Sequence, residues 1–257
     1  MLLRNQTQYT TESSLQPLIM SVCQADPKAK SMWNSSQVPA VKYFKPGGTA
    51  IITYNHLASK VKTVRSDSIG QWCYEIINSK SDIELLVVSI YQSCNHHGTD
   101  DGMTFHTQQR LLLSQMDRPN LDPWANFHTD LKHFIQQQVD TTTTTRIPII
   151  LGNWNKERSG TSTSQKLCDS LGLVDIWRYN CNPTHQNFKT YHRGHRRIDF
   201  ALTTPHLASL AVNMVYKPFF YRTSGDHRGL YLYWLWYHFF IHHYNPGIWI
   251  LFQGLHQ

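Results

Sequence analysis

The chain lacks a disulfide frame. Its five cysteines, Cys23, Cys73, Cys94, Cys168 and Cys181, are odd in number, widely spaced and never form a C-x-x-C pair. That excludes a stapled secreted fold or a zinc ribbon and leads us to expect reduced, intracellular thiols, with nucleus and cytoplasm both open. Acids are scarce: 17 Asp and Glu stand against 24 Lys and Arg, for a formal charge of +7. The excess suits a polyanion such as nucleic acid; the alternative is a basic solvated surface. The opening MLLRNQTQYTTESS has no long apolar run, so no signal peptide is expected. A run long enough to span a membrane is missing too. The aromatic tail GLYLYWLWYHFFIHHYNPGIWILFQGLHQ breaks at His242, His243, Asn245 and Pro246, so no membrane partner is expected. No internal repeat is visible, and nothing in the pattern names a protein partner.

What is present reads as one α/β domain. The 257 residues, 40% hydrophobic, suffice for a sizeable core. GGTAIITYNHLA after Lys45-Pro46 predicts a turn and a strand, and QWCYEIIN, following Gly70, predicts a hairpin partner. IELLVVSIY, residues 83–91, is apolar without interruption and β-branched, as a central strand is. CNHHGTDDGMT reads as a polar loop. Phe127, Leu131, Phe134 and Ile135 recur at helical spacing. The threonine run 141–145 reads as a surface connection. IPIILGNW predicts a second buried strand, TSQKLCDSLGL a capped helix stopped by Gly172, RRIDFALTT a strand, and HLASLAVNMVY a helix or a helix-to-strand passage.

Polar groups sit where these strands end: Tyr91, then Asn153 and Asn155, then Asp199 within RRIDFAL, with Asp226 and His227 in TSGDHRGL. Metal-assisted hydrolysis of a phosphate ester would use all of them. It needs oxygen ligands for a hard cation, a group that orients or deprotonates water, and donors to the phosphoryl oxygens. A histidine oriented by an aspartate moves a proton or meets developing charge. Each residue also has a simpler reading. Tyr91 is a core tyrosine, Asp199 pairs with Arg196 or Arg197, Asp226 caps a turn, and Asn153 and Asn155 are turn residues. His192, Arg193, His195, Arg196 and Arg197 form a basic cluster that meets nucleic-acid phosphates or solvent. The adjacent pairs His96-His97 and His242-His243 point apart on a strand and make poor chelates. The sequons at Asn5 and Asn34 read as chance, and Trp234 and Trp236 as hydrophobic filling.

The ordered set LGNWN, TYHRGHRRIDFAL and SGDHRGL resembles the endonuclease/exonuclease/phosphatase superfamily, most nearly the endonuclease-like domains of non-LTR retrotransposons. There a strand ends in G-D-x-N, a threonine-aromatic pair precedes R-[IL]-D-[YF], and S-D-H follows. LGLVDIWR, KPGGTAI and QQRLLL add weaker likeness. The resemblance spans roughly residues 40–232; residues 1–39 would be a remnant of the domain's amino-terminal part, and 233–257 an aromatic-rich tail. It implies a four-layer α/β sandwich, two mostly antiparallel sheets packed face to face between helices, and phosphodiester cleavage with magnesium or manganese, on DNA rather than RNA. By the same resemblance Tyr91 and Asn155 contact the phosphate or the attacking water, Asp199 orients His227, and His227 faces the scissile phosphate. Asp226 serves the metal, and Thr190, Tyr191 and Arg197 shape the substrate pocket.

Three departures stand against that pattern. Asn153 replaces the aspartate that activates water; an amide orients water but does not take its proton near neutral pH, and losing a general base costs about a hundredfold to ten-thousandfold in rate. The early strand asparagine and the metal-binding glutamate of a Q-E pair have no match, Glu12 being the only glutamate before Glu75. Gly225 is inserted between Ser224 and Asp226. The chain resembles a truncated, partly degenerate copy, so weak or lost activity is expected. The alternatives are a non-catalytic nucleic-acid binder and a phosphatase acting on lipid or sugar phosphates.

Overall fold

A computed structural model describes residues 24, 28–34, 48–79, 82–94, 104–140, 143–156, 162–180, 188–219, 227–234 and 248–250. The strands are β1 (Lys30–Asn34), β2 (Thr49–Thr53), β3 (Val61–Ser66), β4 (Trp72–Asn78), β5 (Ile83–Tyr91), β6 (Thr145–Asn153), β7 (Val174–Asp175), β8 (Asp199–Thr203), β9 (Ala211–Tyr216), β10 (Leu230–Trp234) and β11 (Ile248–Ile250). The helices are α1 (Phe105–Gln115), α2 (Pro123–Asp140), α3 (Thr163–Leu171), α4 (Ile176–Asn180) and α5 (Pro205–Ser209).

Six strands form the central sheet in the order β3-β4-β5-β6-β8-β7. Only β5 and β6 run parallel. A parallel neighbour needs a crossover, and α1 and α2 supply it. Both strands are apolar without alternation because both sheet faces are covered. On one face Leu86, Val88, Ile90, Ile150 and Phe200 pack against Phe127, Leu131 and Ile135 of α2 and Leu167 of α3. On the other, Leu85, Val87, Ile149, Leu151 and Ala201 meet Met214 and Tyr216 of β9 and Leu230, Leu232 and Trp234 of β10. The order β11-β10-β9 makes a second sheet, and β1-β2 a third. A helix layer, the central sheet and a smaller sheet are therefore stacked around two apolar cores.

Local chemistry explains the boundaries. Thr104 accepts from the Thr107 amide while Thr107 bonds back to the Thr104 amide, a capping box that starts α1. Ser162 caps α3, and Gly172 ends it in the left-handed region at φ 63°. HLASLAVNMVY resolves into α5 and β9, the passage anticipated. Two elements go beyond the sequence reading. The edge strand β3, VKTVRS, mixes charge with valine, and α1 carries leucines and glutamines without a clean apolar stripe. β1 lies before residue 40 and β11 after residue 232, yet both hydrogen-bond into sheets. Trp234 is filling, as anticipated: fully buried, it donates from Nε1 to the Leu207 carbonyl at 3.0 Å. Asn34 is buried and bonded to Asp67, so the second sequon is no glycan acceptor.

Candidate active site

Register assembles the site. Tyr91 lies opposite Asn153, and Asn153 opposite Asp199, so one row crosses β5, β6 and β8. Side chains in register share a face, and the two-residue alternation places these three on the face of Val87, Leu151 and Ala201, toward β9 and β10. His227 arrives from the segment leading into β10. Four residues far apart in sequence thus meet at one end of the space between two sheets.

The centre is the pair His227–Asp199. Nδ1 of the ring lies 2.9 and 3.1 Å from the two carboxylate oxygens, and both side chains are buried. Nδ1 is committed, so any proton the ring moves goes through Nε2. The Tyr191 ring stacks on His227, centroids 5.1 Å apart at 23°, and the two residues form a β-bridge. Thr190 braces the assembly. Its hydroxyl accepts from the amides of Ile198 (3.0 Å) and Asp199 (3.2 Å), and its carbonyl accepts from the Arg228 amide (2.8 Å). Tyr216 donates from its buried hydroxyl to the Asp199 carbonyl at 2.8 Å; burial pushes that phenol's pKa up.

The amides are arranged as a turn. Asn153 Oδ1 accepts from the Asn155 amide at 2.8 Å, an Asx turn, and Asn155 sits at φ 47°, which asparagine tolerates. Asn155 Nδ2 donates to the Gln92 carbonyl at 2.6 Å. The Nδ2 of Asn153 is buried without a hydrogen-bond partner. An ionised aspartate here would place a second carboxylate opposite Asp199. The amide removes that repulsion and leaves an orphan donor instead.

Two residues expected at the substrate are found in structural contacts. The first is Arg197. It is buried, paired with Asp175 through both terminal nitrogens and laid over the Phe200 ring at 4.7 Å. A guanidinium so enclosed holds β7 to β8. Thr190, fully buried, spends its oxygen on backbone amides and so positions Asp199 rather than touching substrate. Tyr91 does two things: it holds its place in the row and packs edge-on against Phe105, centroids 5.1 Å apart. Asp226, Glu12, Trp236 and both histidine pairs lie outside the described residues. Sequence reasoning missed Asp175, Tyr216 and Gln92. LGLVDIWR drew attention as a segment, but nothing in it marked Asp175 as the partner of Arg197.

The metal expectation meets a poor donor set. Among the described residues no group of three His, Cys, Asp or Glu could hold an ion. Both Asp199 oxygens face His227, and Asn153 turns an amide donor, not a carboxylate, to the site. These residues do not fit a magnesium centre by themselves. Also among the described residues, no helix is long and apolar enough to cross a membrane.

The chain matches no protein-family model and no curated protein sequence. Solved structures do match. A 3' phosphatase, NExo from Neisseria, bound to product DNA hairpin, is 14% identical with a TM-score of 0.52, covering 90% of this chain and 85% of that one. A 3'-5' exonuclease, NExo from Neisseria meningitidis, is 15% identical with a TM-score of 0.52, covering 86% and 84%. An endonuclease/exonuclease/phosphatase family protein from Leptotrichia buccalis, 16% identical over 83% of this chain and 75% of that one, reaches 0.49 and adds no argument. This chain shares the fold of the two NExo structures.

Proposed function

We propose that the chain is an endonuclease-like phosphodiesterase domain of retroelement origin whose hydrolysis is weak or lost. The observation that carries the reading is the row Tyr91–Asn153–Asp199 facing the oriented His227. Asp199 fixes the imidazole, and Nε2 meets a phosphoryl oxygen or moves a proton. Asn155 donates to the phosphate or the water, and Asn153 orients water without accepting its proton. Nuclease and phosphatase neighbours, one solved with DNA, support a nucleic-acid substrate, DNA rather than RNA. In this reading residues 40–232 form the domain with four layers, and Asp226 would serve magnesium or manganese. Weak activity follows in this reading from Asn153, whose amide cannot take a proton from water.

A second reading is favoured by the amide at Asn153: a nucleic-acid binder without hydrolysis. One experiment separates them. An end-labelled DNA duplex is titrated with the protein, then incubated with manganese. Salt-sensitive binding plus slow cleavage that His227→Ala abolishes supports the first reading. Binding with no cleavage supports the second, and no binding at low salt contradicts both.

A further inference from the structure

Beside the stacked Tyr191 and His227, cations gather on one ring. The Arg228 guanidinium lies 4.6 Å from the Phe219 centroid and 5.7 Å from that of Phe188. The Lys189 ammonium lies 5.6 Å from the Phe219 centroid, and its Nζ also donates to the His192 carbonyl at 2.8 Å. The His192 ring meets Phe219 edge-on at 5.3 Å. Lys189 and Arg228 are therefore no more than about 10 Å apart, within about one screening length, so each feels the charge of the other. A cation over an aromatic face at an exposed site gains little from the ring and stays available to an anion. Among the described residues no carboxylate lies within ion-pair distance of either, and Arg228 Nε is buried without a partner. Two held cations, with no carboxylate partner among the described residues and with an unused donor, make a site for an anion.

Position says which anion. Arg228 follows His227 in the chain, and its amide is fixed on the Thr190 carbonyl at 2.8 Å. Arg193, His195 and Arg196 lie exposed on the same segment as Lys189. We propose that Lys189 and Arg228, held on Phe219, clamp the backbone phosphate next to the one facing His227, so that the ligand is a polynucleotide strand and not a lone phosphate monoester. This rests on the nucleic-acid reading above and goes beyond it by naming the contact that selects a strand.

The test is binding of a short labelled oligothymidylate, followed by anisotropy across a range of monovalent salt without divalent metal. Each phosphate contact contributes about 0.7 to the slope of log affinity against log salt for a single strand. Lys189→Gln with Arg228→Gln removes one phosphate contact and is expected to lower the slope by about 0.7, and Lys189→Gln alone by less. The same double charge loss on the helix layer, Lys132→Gln with Lys166→Gln, is expected to leave the slope unchanged. Equal drops in both double variants mean that net charge alone attracts the strand, and they overturn the clamp. So does an unchanged slope in the Lys189 and Arg228 variants. If the parent binds no oligonucleotide at any salt, the nucleic-acid reading fails with it, which is a distinguishable outcome.

Discussion

Thr190 and Asn153 decide how firmly His227 and Asp199 are held. Replacing Thr190 by valine strands two amides and is expected to destabilise the fold by about 1–3 kcal/mol, measured by urea denaturation, with the loss centred on Asp199. Gly152 admits no side chain. A Cβ there would lie 2.0 Å from the Ile90 carbonyl oxygen, so Gly152→Ala is expected not to accumulate as folded protein. Asn153→Asp sets a carboxylate opposite Asp199, and like charges at that register repel unless a cation joins them. Magnesium is therefore expected to raise the melting temperature of Asn153→Asp and to leave the parent unchanged; equal responses would contradict this. Asp199, His227 and Asn153 were legible in the sequence because strand ends and short motifs carry local signals. The partner of Arg197 was not. Neighbouring charges in sequence suggested Asp199, whereas the chain brings Asp175 from 22 residues away.

Buried titratable groups couple strands and helices to pH. Glu75 on β4 lies under the β1-β2 ribbon, where it accepts from the Thr53 hydroxyl and its other oxygen has no partner. Burial pushes its pKa up to about 7 from 4.5. The folded chain then holds an extra proton, so stability falls as pH rises from about 4.5 to about 7. His128 on α2 packs against Trp154, and burial lowers it to about 4 from 6.5. Here the unfolded chain binds the extra proton, so stability is full above 6.5 and falls as pH drops toward 4. Burial also raises Asp67 to about 6 from 3.8, which adds a slope of the same sign as that of Glu75. Between about 4.5 and 6 two falling slopes oppose one rising slope, and stability is expected to fall as pH rises. Glu75→Gln should flatten the profile there, and His128→Leu should steepen the loss on alkalinisation, both read by denaturation across that range. Cutting the β7–β8 tie with Asp175→Ala leaves Arg197 charged in the core, at a cost of about 3–5 kcal/mol. The central strands and α2 were legible because apolar runs and helical spacing are strong signals. β3 and α1 were not, because an edge strand and a glutamine-rich helix owe their formation to the neighbours they pack against.

Among the described residues the two larger apolar cores lie on either side of the central sheet, and the candidate site is buried where three strand ends meet the segment before β10. His192, Arg193, His195 and Arg196 are exposed on the segment that follows Tyr191. Fold class could be read from the alternation of strands and helices; the meeting of the row with His227 depends on sheet order, which local sequence does not encode. The most direct measurement is nicking of supercoiled DNA with magnesium by the parent chain and by Asn153→Asp, both verified as folded. The account predicts little or no nicking by the parent and a gain of about a hundredfold or more in the variant. A variant that nicks no better than its parent would contradict the claim that a nuclease site persists here and is silenced at Asn153.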